Sequence, residues 1–331
     1  MPEQDDLNYP VFLKPPDISA YIDGNIGVDY VHQFDSGKPG PHVMLSAVVH
    51  GNELCGAIAL DDLLKNKVRP LQGKLTLVFM NVAAFLSFDP ENPTFSRFID
   101  EDFNRLWTKD VLEGNRDSVE LRRAREVYPI VDTVDFLLDI HSMQTTTLPL
   151  IVAGPLAKGR EFARQFGITE MVVSDSGHKS GQRMRDYEGF ANPQSQKNAL
   201  LIECGQHWEV SSSELAINAA WRFLSLLEVI SEETAAPHLL VKSAVKQKFV
   251  EVSDPYTIKT DSFHFVEKYV GLEVIPTSGT IIGYDGDIPV KTPYDNCVLI
   301  MPSRRQLPGD TAVRFGKFLA KSGKLIFHSF H

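Results

Sequence analysis

The sequence predicts a mixed α/β fold: a central sheet flanked by helices, followed by a smaller C-terminal β-rich domain. Three observations predict it. Over the first two thirds of the chain, apolar runs of strand length alternate with helical patterns. Those runs are apolar on both faces, as in the buried interior of a parallel or mixed sheet. After Glu232 the texture changes to short strand-like pieces separated by Pro, Gly, Asp and Asn. A chain of 331 residues also has the length of roughly two domains.

Taken in order, strands are expected over 42–49 (HVMLSAVV), 74–81, 136–140, 150–153, 171–173 and 199–202, with helices over 53–65, 118–129 and 156–166. The clearest helix is 211–230. Ser211 and Glu214 form a capping-box pattern, and Ala220, Phe223, Leu224, Leu227 and Ile230 recur at the spacing of one buried face. Ala235-Ala236-Pro237 reads as a linker, which divides the chain into an α/β domain over 1–234 and a β-rich domain over 235–331. Within the latter, strands are expected among 239–252, 263–275 and 296–302, and one helix over 311–319.

Composition narrows the function. Hydrophobic residues make up 43% and charged residues 23%, the balance of a packed globular chain. A formal charge of −10 argues against a general binder of nucleic-acid backbone and leaves a small anionic substrate open, since a few arginines in a cleft can dominate the local field. Cys55, Cys204 and Cys297 are too few for a disulfide framework and lack zinc-finger spacing. No apolar run approaches the roughly 18 residues of a membrane span. The acidic N-terminus has no basic stretch followed by an apolar one. The expectation is a cytoplasmic chain without nucleic-acid or membrane partners, compatible with a homo-oligomer.

His50-Gly51-Asn52-Glu53 stands where a strand ends and a helix begins, the usual place for functional groups in an open α/β sheet. A His and a Glu three positions apart can close on one metal ion, and catalytic zinc takes three protein ligands of this kind. His141 is a third ligand at another strand end, with Asp139 two residues earlier to orient an imidazole. These residues alone leave open whether the histidines are ligands or ordinary polar groups at strand ends. Glu203 ends a further apolar strand, where an unpaired acid is costly, and this favours a general base. Arg97, Asn104 and Arg105 have the chemistry of a carboxylate clamp. Composition alone favours a charged surface loop, its arginines paired with Asp100, Glu101 and Asp102.

These motifs occur in one order: His50-Gly51-Asn52-Glu53, Arg97 followed by Asp102-Phe103-Asn104-Arg105, Asp139-Ile140-His141, and Glu203-Cys204-Gly205. Together they resemble the succinylglutamate desuccinylase and aspartoacylase family, a branch of the zinc carboxypeptidase-like fold, over residues 40–230. The resemblance implies one zinc per chain on His50, Glu53 and His141, with Glu203 as general base. It implies that Arg97 stabilises the oxyanion and that Asn104 and Arg105 hold the substrate carboxylate. The implied reaction is hydrolysis of the acyl group from an N-acyl amino acid, such as N-succinylglutamate or N-acetylaspartate, or from a related small amide. A metallocarboxypeptidase acting on peptides and a non-catalytic binding protein are the alternatives.

Family members specific for acyl-aspartate or acyl-glutamate use a further arginine and tyrosine. No motif identifies these here, and Arg183, Arg185, Tyr187, Tyr284 and Tyr294 are the candidates. The C-terminal pieces 279–283, 290–296 and 307–310 resemble, more loosely, a barrel-sandwich domain of the biotinyl/lipoyl type. Tyr294-Asp295-Asn296 stands where such a domain carries its modified lysine, so a wall or lid over the cleft is expected instead of cofactor carriage.

Overall fold

In the computed structural model, which describes residues 9–177, 180–240, 245–304 and 306–319, the apolar runs of the first two thirds become one sheet. The chain divides into two units, Met1–Gln247 and Lys248–His331.

The first unit runs β1 (Val31–Asp35), β2 (His42–Ala47), α1 (Leu54–Lys65), β3 (Lys74–Phe79), α2 (Val82–Leu86), α3 (Lys109–Leu112), α4 (Val119–Val131) and β4 (Phe136–Met143). It continues with β5 (Leu150–Val152), α5 (Ala157–Phe166), β6 (Met171–Ser174), β7 (Asn198–Gln206), α6 (Val210–Leu226) and α7 (Glu232–Ala235). In space the strands lie β1-β3-β2-β4-β7-β5-β6. The block β3-β2-β4-β7 is parallel, β1 is antiparallel to β3, and β5 is antiparallel to β7. Every residue of β2 is buried, which is why its sequence shows no alternation.

Register positions the site. Ser46 lies opposite Asp139 and His141 opposite Glu203, so the C-terminal ends of β2, β4 and β7 stand side by side. One face of the sheet packs Met44, Leu137 and Ala199 into a core with Phe103, Trp107, Leu121, Val127 and Met184. On the other face Gly56 of α1 packs against Ala47, three residues from Met44 and so on the opposite side of the pleat.

Several local expectations are corrected. Helix α6 begins at Val210 with Glu209 as its N-cap, so Ser211 lies inside the helix and the capping box does not form. Ser118 does cap α4, accepting from the Leu121 amide at 3.0 Å. The expected linker is helical: α7 ends in a 3-10 turn, Ala236–His238, and the His238 ring stacks on Trp221 with centroids 3.7 Å apart. Strands β4 and β7 run several residues beyond their apolar runs, and β1 is an edge strand whose partial burial hid it.

The second unit comprises β8 (Lys248–Thr257), β9 (Phe263–Phe265), β10 (Val274–Ile275), β11 (Ile281–Asp285), β12 (Ile288–Lys291), β13 (Cys297–Ile300) and β14 (Thr311–Phe318). Its antiparallel sheets are β8-β14-β13-β10 and β12-β11-β9. Ile258, Phe263, Ile282, Val290, Leu299 and Val313 share a core. The helix expected over 311–319 is strand β14, because hydrogen-bonded neighbours on both sides, Asp254 and Leu299 flanking Phe315, decide its state. Of the strand expected within 239–252, residues 241–244 lie outside the described residues. Among the described residues no helix is long and apolar enough to cross a membrane.

Candidate active site

The chain leaves β2 through Val48, a buried β-branched residue at φ 54°, a strained backbone held by its surroundings. His50, Gly51, Asn52 and Glu53 then cross to α1. At Gly51 a Cβ would lie 2.2 Å from the carbonyl carbon of Ala84 and 2.5 Å from the Ser96 oxygen. Only glycine lets this turn approach the segment carrying Arg97, whose carbonyl accepts from the Gly51 amide at 3.1 Å. Glu53 occupies the N-cap position of α1 without capping it, which leaves its carboxylate to face the two histidines.

His50 Nδ1 lies 2.7 Å from Glu53 Oε1, and His141 Nδ1 lies 2.8 Å from Glu53 Oε2. Behind each ring stands an aspartate. Asp102 Oδ1 is 3.1 Å from His50 Nε2, and Asp139 Oδ2 is 2.8 Å from His141 Nε2. Asp139 is itself fixed by the Ser46 hydroxyl at 2.7 Å. Carboxylates on the far nitrogens turn both Nδ1 atoms toward one centre, the usual support of a metal-ligating imidazole. The three candidate ligand groups are buried, with their donor atoms all within 4.8 Å of one another. Two imidazole nitrogens and one carboxylate oxygen make a donor set that fits a divalent metal ion. Burial opposes ionisation of Glu53, yet His141 and His50 hold its carboxyl well below the usual range. Burial likewise opposes a charged His141, yet Asp139 and Glu53 raise its imidazole well above the ordinary value.

Arg97 reaches the same centre. Its Nη2 lies 2.9 Å from His50 Nε2 and donates to Asp102 Oδ2 at 3.1 Å, while Nη1 is 3.8 Å from Glu53 Oε1. The guanidinium stays charged because Asp102 and Glu53 outweigh its burial. Asn104 is buried, and its Oδ1 accepts from the Met184 amide at 2.8 Å, so the amide's orientation is set with Nδ2 as its donor. Arg105 donates to Ser180 Oγ at 3.2 Å and to the Asn104 carbonyl at 2.8 Å, with Nη2 3.7 Å from Asp102. The charged loop therefore forms only in part. Asp102 meets both arginines, whereas Glu101 pairs with Arg116 and Ser118, and Asp100 accepts from the Val119 amide.

Glu203, opposite His141, has a buried Oε2 with no hydrogen-bond partner among the described residues. Burial, reinforced by the charge of Glu53, pushes its carboxyl up to about 8. A carboxyl with a buried, unpartnered oxygen beside a cluster of His and Glu is the environment in which proteins keep acid–base groups.

Two groups escaped the sequence reading. Composition places Asp102 in a charged surface loop, whereas it stands behind His50. His207, one residue past β7, meets Ser142 Oγ through Nδ1 at 2.8 Å, and its buried Nε2 has no partner among the described residues. A third histidine at a strand end was the available signal. Arg183 and Arg185, in contrast, are not substrate groups in this structure. Arg183 pairs with Asp175 at 2.9 Å and Asp186 at 2.6 Å, and Arg185 pairs with Asp186 and donates to the Ala153 and Ala199 carbonyls. Tyr187 packs edge-on against Trp107, Tyr284 stacks on His264, and Tyr294 shares a hydrogen bond with Ser253.

A family model described as the succinylglutamate desuccinylase/aspartoacylase catalytic domain matches residues 39–228. A succinylglutamate desuccinylase of Vibrio campbellii is 25% identical over 292 residues, which is 82% of this chain and 79% of that protein. An N-acyl-aromatic-L-amino acid amidohydrolase of Rattus norvegicus is 28% identical over 121 residues, 34% of this chain and 36% of that protein. Among solved structures, a succinylglutamate desuccinylase from Vibrio cholerae superposes with a TM-score of 0.66 at 16% identity, covering 88% of this chain and 86% of that one. An ectoine utilization protein from Ruegeria pomeroyi, in a product-bound structure, gives 0.59 at 17% identity over 92% and 93%. At such identities the structural likeness speaks for the fold.

Proposed function

The chain belongs to the succinylglutamate desuccinylase/aspartoacylase family, and from that premise we propose that it is a zinc-dependent hydrolase removing the acyl group from an N-acyl amino acid or a related small amide. One observation carries the reading: the Nδ1 atoms of His50 and His141 converge on Glu53 beside the guanidinium of Arg97 and Glu203, whose buried Oε2 has no hydrogen-bond partner among the described residues. The names of the relatives from Vibrio campbellii and Rattus norvegicus support the acyl-amino-acid class.

Zinc on His50, Glu53 and His141 would supply Lewis acidity toward the acyl carbonyl and toward a water molecule. Glu203 takes a proton from the attacking water and returns it to the leaving amine, a role suited to a carboxyl poised near neutrality. Arg97 stabilises the negative charge that grows on the carbonyl oxygen. Asn104 Nδ2 and Arg105 receive the α-carboxylate of the amino acid, and Asp102 and Asp139 hold the two imidazoles in place.

Metal analysis of the purified protein should return about one zinc per chain, the stoichiometry of a single catalytic site. A panel of N-acetyl, N-succinyl and N-formyl amino acids should then yield hydrolysis with release of the free amino acid. Zinc retained in full by a His50→Ala/His141→Ala double variant would remove the metal assignment. Inactivity across the panel together with cleavage of C-terminal dipeptides would make the chain a peptidase.

A further inference from the structure

The centre has two flanks. Arg97 and Asp102 stand on the His50 flank, and Asp102 leads on to Arg105. On the His141 flank stands Ser142, whose amide donates to Glu53 Oε2 at 3.2 Å and whose hydroxyl meets His207 Nδ1 at 2.8 Å. His207 is itself tied down, its amide donating to the Met143 carbonyl at 2.9 Å, four residues along the chain from Glu203. Its side chain is 1% exposed, and Nε2 meets no protein partner among the described residues. Buried polar groups are retained without partners where a ligand or water completes them.

The Ser142 hydroxyl is both donor and acceptor, and when it donates to Nδ1 the ring proton sits on Nε2. Nε2–H is then a buried donor without a protein partner among the described residues. With the amino-acid carboxylate on Arg105 and Asn104, as proposed above, the His141 flank is left for the acyl chain. Resting on the deacylase reading above, we propose that His207 is a specificity residue of the acyl pocket. It donates through Nε2 to an oxygen acceptor carried by the acyl chain beyond the scissile carbonyl, and so selects dicarboxylic or otherwise oxygenated acyl groups over plain acetyl.

The test compares the zinc-loaded parent, His207→Gln and His207→Leu on the N-acetyl and N-succinyl forms of one amino acid. Glutamine keeps an N–H donor and leucine has none. His207→Leu should lower kcat/KM for the succinyl substrate by about tenfold or more, mainly through KM, and leave the acetyl substrate within about threefold, with His207→Gln recovering part of the loss. Equal losses on both substrates, or none on either, overturn the proposal. Calorimetry with free succinate and free acetate reads the pocket without turnover: succinate should bind the parent more tightly, and the difference should vanish in His207→Leu. If the parent cleaves no N-acyl amino acid yet shows that difference and its loss, the deacylase reading fails and the His207 subsite stands. If cleavage is present and neither measurement separates parent from His207→Leu, the subsite fails and the deacylase reading stands. Where His207→Leu does not fold, the 15N resonance of His207 Nε2 in the parent decides. It should shift on adding succinate and not on adding acetate, and an equal response to both overturns the proposal.

Discussion

At Glu203 the protein keeps one buried carboxylate oxygen, Oε2, without a hydrogen-bond partner among the described residues, a cost that a purely structural acid would avoid. Glu203→Gln is nearly isosteric, so zinc content and fold should persist while kcat falls by roughly 10²–10⁴, the worth of general acid–base catalysis. Steady-state kinetics beside metal analysis checks this, and activity within a few-fold of the parent would make Glu203 structural. Arg105 tests the carboxylate clamp. Arg105→Ala should lower kcat/KM for N-acyl amino acids by on the order of 10² or more, because a charge-assisted contact is lost and the substrate charge stays unpaired. The matching carboxamide should be a poor substrate of the parent and hardly worse with the variant. An equal penalty on acid and carboxamide refutes the clamp. Asp102 supports His50 from behind, at 3.1 Å from Nε2. Asp102→Asn should therefore weaken zinc binding by roughly 10–100-fold, the typical worth of an orienting carboxylate. Competition with a chelator of known affinity measures it, and unchanged affinity would reduce Asp102 to a partner of Arg97.

Among the elements, the turn from β2 into α1 carries the most function in the fewest residues. It joins a strained Val48, two proposed ligands and a glycine whose Cβ position is filled by the backbone of Ala84 and Ser96. In Gly51→Ala the turn must move away from the Arg97 segment, with a cost of about 1–3 kcal/mol, typical of overpacking. A lower thermal midpoint together with reduced zinc content is the expected result. Unaltered zinc content would show that the ligands are placed independently of this turn. Strands β4 and β7 work differently. Their parallel register sets His141 against Glu203, so a proposed ligand and the proposed base owe their proximity to a ladder of backbone hydrogen bonds.

For the whole molecule, the two apolar cores described above pack without the proposed zinc ligands. Stripping zinc with a chelator should leave the far-ultraviolet circular dichroism native while lowering the thermal midpoint. Binding to the native state contributes about 2.7 kcal/mol at a free zinc concentration one hundred times Kd. Global unfolding on chelation would instead assign zinc a structural role. The sequence by itself determined the α/β class, the buried runs of the strands and the order of His50, Glu53, Arg97, His141 and Glu203, because burial and motif spacing are written in contiguous residues. It did not determine the state of 311–318, whose alternation is weak and whose strand conformation comes from β8 and β13. It placed Asp139 beside His141, as found, but did not reveal what stands behind His50 or beside Ser142. Asp102 meets His50 across 52 residues of chain, and His207 meets Ser142 across 65. Contacts at such separations exist only once the sheet has set its register and the loops have closed over its edge, so tertiary structure alone turned a charged loop and a strand-end histidine into parts of one site.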